Sequence, residues 1–272
     1  MSEKANNIHK TAVIEQGARL GQGVTIGAYA VIGPQVTIGD GTFVGPHVVV
    51  EGETSVGRNV QIYQFASVGA PPQDLTYSGE MTAVEIGDNT VVREAVTIHR
   101  GTPKGGGVTR IGSNCMIMAY SHVAHDCQIG DHVIMANVAT LGGHVEIGHH
   151  AVIGGMCAIH QFCRIGEFAF MGGMSGTNKD IPPFTRYYGA RDGKLFGLNL
   201  VGLRRGGFSR DEIKALRDAY RMIFQKAATV SEGVAEVEKA FSDLPVVQRF
   251  AGFIKESKRG IPMPEWNEEQ IA

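Results

Sequence analysis

Ile26-Gly27-Ala28-Tyr29-Ala30-Val31-Ile32-Gly33-Pro34-Gln35-Val36-Thr37-Ile38-Gly39-Asp40-Gly41-Thr42-Phe43-Val44-Gly45 carries an aliphatic residue at every sixth position, each time followed by glycine. Counting back by six reaches Leu20, Ile14 and Ile8, and counting forward reaches Val50, Val56, Ile62 and Val68. The pattern returns at Ile86, Val92 and Ile98, and again from Ile111 through Ile117, Val123, Ile129, Met135, Leu141, Ile147, Ile153, Ile159 and Ile165 to Met171. A six-residue period sustained this far belongs neither to an α-helix nor to independent hairpins. It is the hexapeptide parallel β-helix, with three hexads closing one triangular coil. The aliphatics stack inside that prism at about 4.8 Å per coil. Each burial contributes roughly 1.5–3 kcal/mol, much of it offset by chain entropy. Small or β-branched residues sit two positions earlier (Val24, Ala30, Val36, Thr42) and suit short strands around a narrow interior. The following glycines (Gly21, Gly27, Gly33, Gly39) are read as the turn positions, where positive φ costs glycine nothing.

Glycine supplies 37 of 272 residues but proline only 10, which excludes collagen and low-complexity disorder. A net charge of −2 and 43% hydrophobic residues describe a globular chain with no overall pull towards nucleic acid. Met1 to Lys10 is polar and lacks the apolar core of a secretory signal. No apolar run reaches the ~18 residues of a membrane helix. Cys115, Cys127, Cys157 and Cys163 all occupy the small position before a hexad aliphatic, so they read as buried thiols in a reducing compartment. After Phe208 the period becomes helical. Ser209-Arg210-Asp211-Glu212 is a capping box, and Ile213, Leu216, Tyr220, Ile223 and Phe224 share a face. Further helices are expected over Val230–Phe241 and from Pro245 to before Gly260, covering the open end of the prism, with the tail from Ile261 to Ala272 loosely held. The expected organisation is a β-helix over 1–190, with extruded loops at about 69–83 and 99–110, and a helical domain over 191–272. Residues 186–226 carry ten Lys/Arg against four Asp/Glu, a local excess that reads either as a dock for an acidic partner or as a solvated helix face.

A solenoid core carries no chemistry, so the breaks and columns matter. The hexads opening at Ile98, Val123, Leu141 and Ile159 share one column, which aligns His99, His125, His144 and His160 along one edge with His122 beside them. If the first loop is a 12-residue insertion, Asp74 leaves from the same column. Imidazole suits a general base at neutral pH, and Asp126 follows His125 as in a His–Asp dyad. Leu141-Gly142-Gly143 offers bare backbone N–H groups able to polarise a carbonyl. The Gly105–Gly107 run is a weak phosphate cradle, because no helix follows it. No Ser or Cys is placed as a nucleophile, which favours direct transfer to a substrate hydroxyl or amine. Histidine-bound zinc, as in the γ-class carbonic anhydrases that share the repeat, is the competing chemistry, although their ligand spacing is not evident.

Several strings go beyond the repeat: Ile62-Tyr63-Gln64-Phe65-Ala66-Ser67, Gln73-Asp74-Leu75, Ile98-His99-Arg100-Gly101-Thr102, His122-Val123-Ala124-His125-Asp126-Cys127, Gly143-His144-Val145, His160-Gln161-Phe162 and Gly202-Leu203-Arg204-Arg205. With these the chain resembles the UDP-N-acetylglucosamine O-acyltransferases of lipid A biosynthesis, from residue 8 to about 260. The resemblance implies a left-handed parallel β-helix with a C-terminal α-helical domain; the period alone does not set the hand. It implies a cytoplasmic homotrimer, with sites between neighbouring prisms, no membrane insertion and no nucleic-acid partner. The implied reaction moves an (R)-3-hydroxyacyl chain from acyl carrier protein to the 3-hydroxyl of UDP-N-acetylglucosamine. The donor rides on the carrier's phosphopantetheine, and no other cofactor or metal is needed. In this reading His125 is the general base, supported by Asp126, with the Gly143 N–H as oxyanion donor. Gln73, Asp74, His122, His144, His160 and Gln161 hold the sugar nucleotide, Asn199 and Arg205 contact the nucleotide, and Gly173 sets acyl length. Gly206 stands where another arginine is usual, Thr76 where a lysine is common and Val201 where an acid is frequent. A 3-amino acceptor sugar, an acyl-CoA donor and a non-catalytic scaffold remain as alternatives.

Overall fold

The computed structural model describes residues 5–190 and 192–265. Its strands, mostly two residues long, form three sheets that are the faces of a prism. On the first face Ile26 pairs in register with Val44, then Ile62, Val92, Ile117, Met135, Ile153 and Met171. On the second, Val68, Ile98, Val123, Leu141 and Ile159 align, as the column reading requires. The Val68–Ile98 pairing also shows that the first loop is extruded from that second face. Hexad aliphatics from Ile26 onward are buried, together with the small residues that precede them.

The role assigned to the hexad glycines needs correcting. The left-handed backbone position lies two residues later and is held by residues such as Tyr29, His47, Phe65, Asn89, Asp126 and His144, with φ between 57° and 64°. The glycine directly after the aliphatic is needed for close approach instead. A Cβ on Gly27 would lie 2.6 Å from Pro46 N, and one on Gly39 2.6 Å from Gly57 O, backbone atoms of the next coil. The coil spacing of a parallel sheet leaves no room for a side chain directed along the prism axis.

The cysteines are buried and unpaired, and burial raises the thiol of Cys127 to about 12. The Sγ atoms of three of them join an interior pattern. Cys115 donates to Gly130 O, Cys127 to Gly142 O and Cys157 to Gly172 O, just as Ser121 Oγ donates to Ala136 O and Thr42 Oγ1 to Gly57 O. A small donor at this position satisfies a carbonyl at the prism corner.

At the far end, strand Thr185–Tyr188 adds in parallel to Phe170–Met171, and Lys194–Leu198 folds back antiparallel on it. Helices α1 (Leu200–Arg205), α2 (Arg210–Arg221), α3 (Val230–Ala240) and α4 (Pro245–Lys255) follow. The Ser209–Glu212 capping box is made in both directions, and Leu216, Tyr220, Ile223 and Phe224 are buried. The short α1, which the sequence pattern missed, packs Leu203 inward, and Phe208 meets the rings of Phe168 and Phe184 at the end of the prism. The tail is not loose at its start. Met263 O accepts from Leu195 N–H and Glu265 N–H donates to Leu195 O, because the outer strand offers an open edge that the tail satisfies. Residues 266–272 lie outside the described residues. No helix among the described residues is long and apolar enough to cross a membrane.

Candidate functional site

Asp126 occupies one of the left-handed corner positions, φ 61°, which turns its carboxylate back beneath the second loop. The side chain has no exposure and is held from several sides. Thr102 donates its N–H to Oδ1 (2.9 Å) and its hydroxyl to Oδ2 (2.7 Å), and Thr109 Oγ1 accepts from the Asp126 N–H. His125 Nδ1 lies 2.8 Å from Oδ2. A buried carboxylate can only accept, so Nδ1 carries the proton and Nε2 is the basic nitrogen. The contact expected from adjacency is therefore made. His144 stands across the dyad, its Nε2 3.7 Å from Oδ2 and its ring edge-on to that of His125.

The dyad opens on a groove of about 870 Å³ lined by Gln73, His122, His125, Gly143, His160 and Gln161, among others. Gly143 lies directly over the imidazole. A Cβ there would sit 2.5 Å from His125 Cε1 and 2.7 Å from Nε2, so only glycine leaves the basic nitrogen accessible. His99 forms the floor, 6% exposed, with its Nδ1 buried and lacking a partner. Burial, reinforced by His122 and His125, lowers it to about 4, so it is neutral at pH 7. His122 shares a 2.7 Å hydrogen bond with Thr97 and is lowered chiefly by burial, then by His125. Burial lowers His144 too, against the opposing pull of Asp126. His160 sits further along the groove, 3.2 Å from an Arg259 nitrogen. Asp74 stands on the first loop, kept below the usual carboxylate range by the N–H and hydroxyl of Thr76. Lys104 Nζ reaches Thr76 Oγ1 at 3.2 Å, placing a cation beside that carboxylate from the opposite loop.

Three expected residues lie elsewhere in the single chain. Asn199 caps α1, its Oδ1 accepting from Gly202 N–H and its Nδ2 donating to Phe168 O, so both polar atoms are engaged in the fold. Arg205 is exposed at the end of α1. Gly173 is exposed beyond the first-face strand Phe170–Met171, at a different edge from the histidines, and a Cβ there would meet Gly155 O at an ordinary 3.4 Å. The missing cation at Gly206 has a local cause: a side chain there would run into the Phe168 ring. The second loop is no phosphate cradle either, because Gly105 packs against the Asp126 carboxylate. Sequence reasoning missed Thr102, Thr109 and Lys104, since nothing in the hexad period says which loop residue folds back onto a corner.

His125, Asp126 and His144 are the one group among the described residues whose donor atoms approach as metal ligands would, within 4.8 Å. A metal here would compete with the Thr102 and His125 hydrogen bonds that already occupy the carboxylate.

Residues 180–262 match the family model described as Udp N-acetylglucosamine O-acyltransferase, Domain 2, and residues 17–52 and 109–143 match bacterial transferase hexapeptide repeats. The acyl-[acyl-carrier-protein]–UDP-N-acetylglucosamine O-acyltransferase of Thermodesulfovibrio yellowstonii is 49% identical over 94% of this chain and 99% of its own. Its namesake from Syntrophobacter fumaroxidans is 48% identical over 93% and 98%. Among solved structures, LpxA from Acinetobacter baumannii superposes with a TM-score of 0.90 at 44% identity, covering 93% of this chain and 98% of its own. The UDP-N-acetylglucosamine acyltransferase from Campylobacter jejuni gives 0.91 at 40%, covering 95% and 100%. The fold shared with these neighbours is the left-handed parallel β-helix with helices at its C-terminus.

Proposed function

The chain belongs to the UDP-N-acetylglucosamine O-acyltransferase family, and from that premise we propose how its own residues carry the reaction of the first step of lipid A biosynthesis. The carrying observation is the dyad: His125 Nδ1–H is held by buried Asp126, and Nε2 faces the groove beside Gly143. His125 Nε2 removes the proton of the glucosamine 3-hydroxyl as that oxygen attacks the thioester carbonyl of an (R)-3-hydroxyacyl chain on acyl carrier protein. The Gly143 N–H stabilises the tetrahedral oxyanion. The C–S bond then breaks, the proton on Nε2 passes to the departing phosphopantetheine sulfur, and an ester and a free carrier thiol result. Asp126 stabilises the imidazolium between the two transfers. The step balances without further cofactor or metal. Gln73, Asp74, His122, His144, His160 and Gln161 surround the sugar. Burial lowers His99 to about 4 and His122 below its ordinary value, which disfavours positive charge on these two rings beside the base.

We further propose a homotrimer. Tyr29, Phe65, Tyr120, Val138, Met156 and Met174 form an exposed apolar stripe down the edge between the first two faces, a surface suited to a second prism. Assembly supplies what the single chain lacks, bringing Gly173, Arg205 and α1 of one copy towards the histidine edge of another. The exposed Gly173, with room beside it, suits a long acyl chain. Buried, unpaired cysteines suit a reducing cytoplasm.

The test is turnover with graded (R)-3-hydroxyacyl carrier proteins and UDP-N-acetylglucosamine, read as free thiol and as acylated nucleotide sugar by mass spectrometry. Product is expected, and His125→Ala is expected to abolish it while the circular dichroism spectrum and melting temperature stay near those of the wild type. Absence of product at every acyl length, on both the 3-hydroxy and the 3-amino acceptor, overturns the reading, as does near-normal activity of His125→Ala. Stoichiometric zinc in the active protein would reopen the metal chemistry.

A further inference from the structure

Asp126 has four lone-pair directions to satisfy in a buried site, and its neighbours come from one short stretch of the second loop. Thr102 is 3% exposed and caps the short 3-10 turn Pro103–Gly105. Its N–H bonds Oδ1 and its hydroxyl bonds Oδ2, the same oxygen that receives His125 Nδ1–H. The direction of that hydroxyl is settled locally. Gly105 N–H donates to Thr102 Oγ1 at 3.2 Å, so the hydroxyl's own proton is the one directed at Asp126. The turn that creates this arrangement needs Gly105 bare, because a Cβ on Gly105 would fall within the Asp126 carboxylate itself. Gly105 has no positive φ, so alanine is excluded there by the carboxylate and not by the backbone.

We propose that Thr102 is the positioning residue of the His125–Asp126 dyad, with the Thr102–Gly105 turn acting as a clamp that fixes the carboxylate plane and thereby the tautomer and basicity of His125. The proposal rests on the reading of His125 as general base. Fixing both oxygens from one side leaves a single orientation in which Oδ2 meets His125 Nδ1. The hydroxyl bond also withdraws charge from that oxygen, which tempers how strongly Asp126 holds a proton on the imidazole. The two loops thus divide the work. The first carries Gln73 into the lining of the groove, and the second reaches in to hold the carboxylate behind the base.

The test compares Thr102→Val, Thr102→Ser and Gly105→Ala in the full-length protein. A charged-group hydrogen bond of this kind corresponds to about a tenfold or larger loss of kcat when removed. Thr102→Val, which keeps the backbone N–H and the side-chain volume, is expected to show that loss with KM for UDP-N-acetylglucosamine nearly unchanged. The acidic limb of its kcat/KM profile should move to higher pH, because an undiluted carboxylate favours the imidazolium. Thr102→Ser should restore both. Gly105→Ala should lower kcat while the acyl carrier protein KM holds. In an Asp126→Asn background, Thr102→Val should add little, since the two act as a unit. Long-range 1H–15N spectra of the His125 ring should show the fixed Nδ1–H tautomer in the wild type and exchange between tautomers in Thr102→Val. A Thr102→Val protein with wild-type kcat, pH profile and ring spectra overturns the proposal, as does a loss that serine fails to restore. An active His125→Ala protein would instead overturn the general-base reading, so the two failures are separable.

Discussion

At the scale of single residues, Gly143 and His125 compete for the same volume. Gly143→Ala places a methyl group 2.5 Å from Cε1 and 2.7 Å from Nε2, closer than van der Waals contact allows, so the imidazole must move aside, while its backbone φ gives alanine no reason to unfold the turn. The expected outcome is a loss of kcat of about 100-fold or more, since small misplacements of a base are costly, with little change in melting temperature. His99 leads to a second prediction. Its folded pKa is about 4 against roughly 6.5 in the unfolded chain. Between those values the unfolded chain binds a proton that the folded chain refuses, so this contribution to stability is complete above pH 6.5 and declines as pH falls towards 4, by up to about 3 kcal/mol. Urea unfolding at intervals from pH 7 to pH 4 should show the decline, and His99→Asn should flatten it. A slope unchanged by the substitution would remove His99 as its cause. The identities and alignment of these histidines were legible in the sequence, because the repeat turns residue numbers into columns. The contact between Thr102 and Asp126 was not, because a loop of irregular length has no register to read.

At the scale of elements, the coil and the helix ask opposite things of glycine. Gly39 faces the backbone of the next coil, which cannot move aside without breaking the ladder, so Gly39→Ala is expected to cost roughly 1–3 kcal/mol. Gly252 lies inside α4, where an added methyl group would meet nothing within 4 Å, so Gly252→Ala should stabilise by about 0.5–1 kcal/mol. Thermal or denaturant unfolding of the two variants should move in opposite directions. The helices show why local signals read well: the Ser209–Glu212 box and Pro245 at the start of α4 are short-range chemistry. Helix α1 escaped because its cap, Asn199, draws on Phe168 O in the prism, 31 residues away.

At the scale of the whole molecule, the apolar stripe carries a fourth prediction. Tyr120 is 67% exposed midway along it, and Tyr120→Glu puts a charge where a neighbouring prism is proposed to pack. Light scattering after size exclusion should show the wild type as a trimer and the variant dissociated, with activity lost alongside assembly; a trimeric, fully active variant would place the interface elsewhere. By itself the sequence determined the prism, its buried column of aliphatics, the edge that carries the histidines and the end where helices take over. It could do so because each of these follows from spacing along the chain, and a period of six leaves each hexad one place to go. Only the tertiary structure decided that the hexad glycines serve close approach, that the second loop returns to grip Asp126, that the tail completes an open strand edge and that Asn199 belongs to a cap. Each of these is a contact between segments with no common register, settled by which buried polar group or open edge was left to satisfy once the coils had stacked.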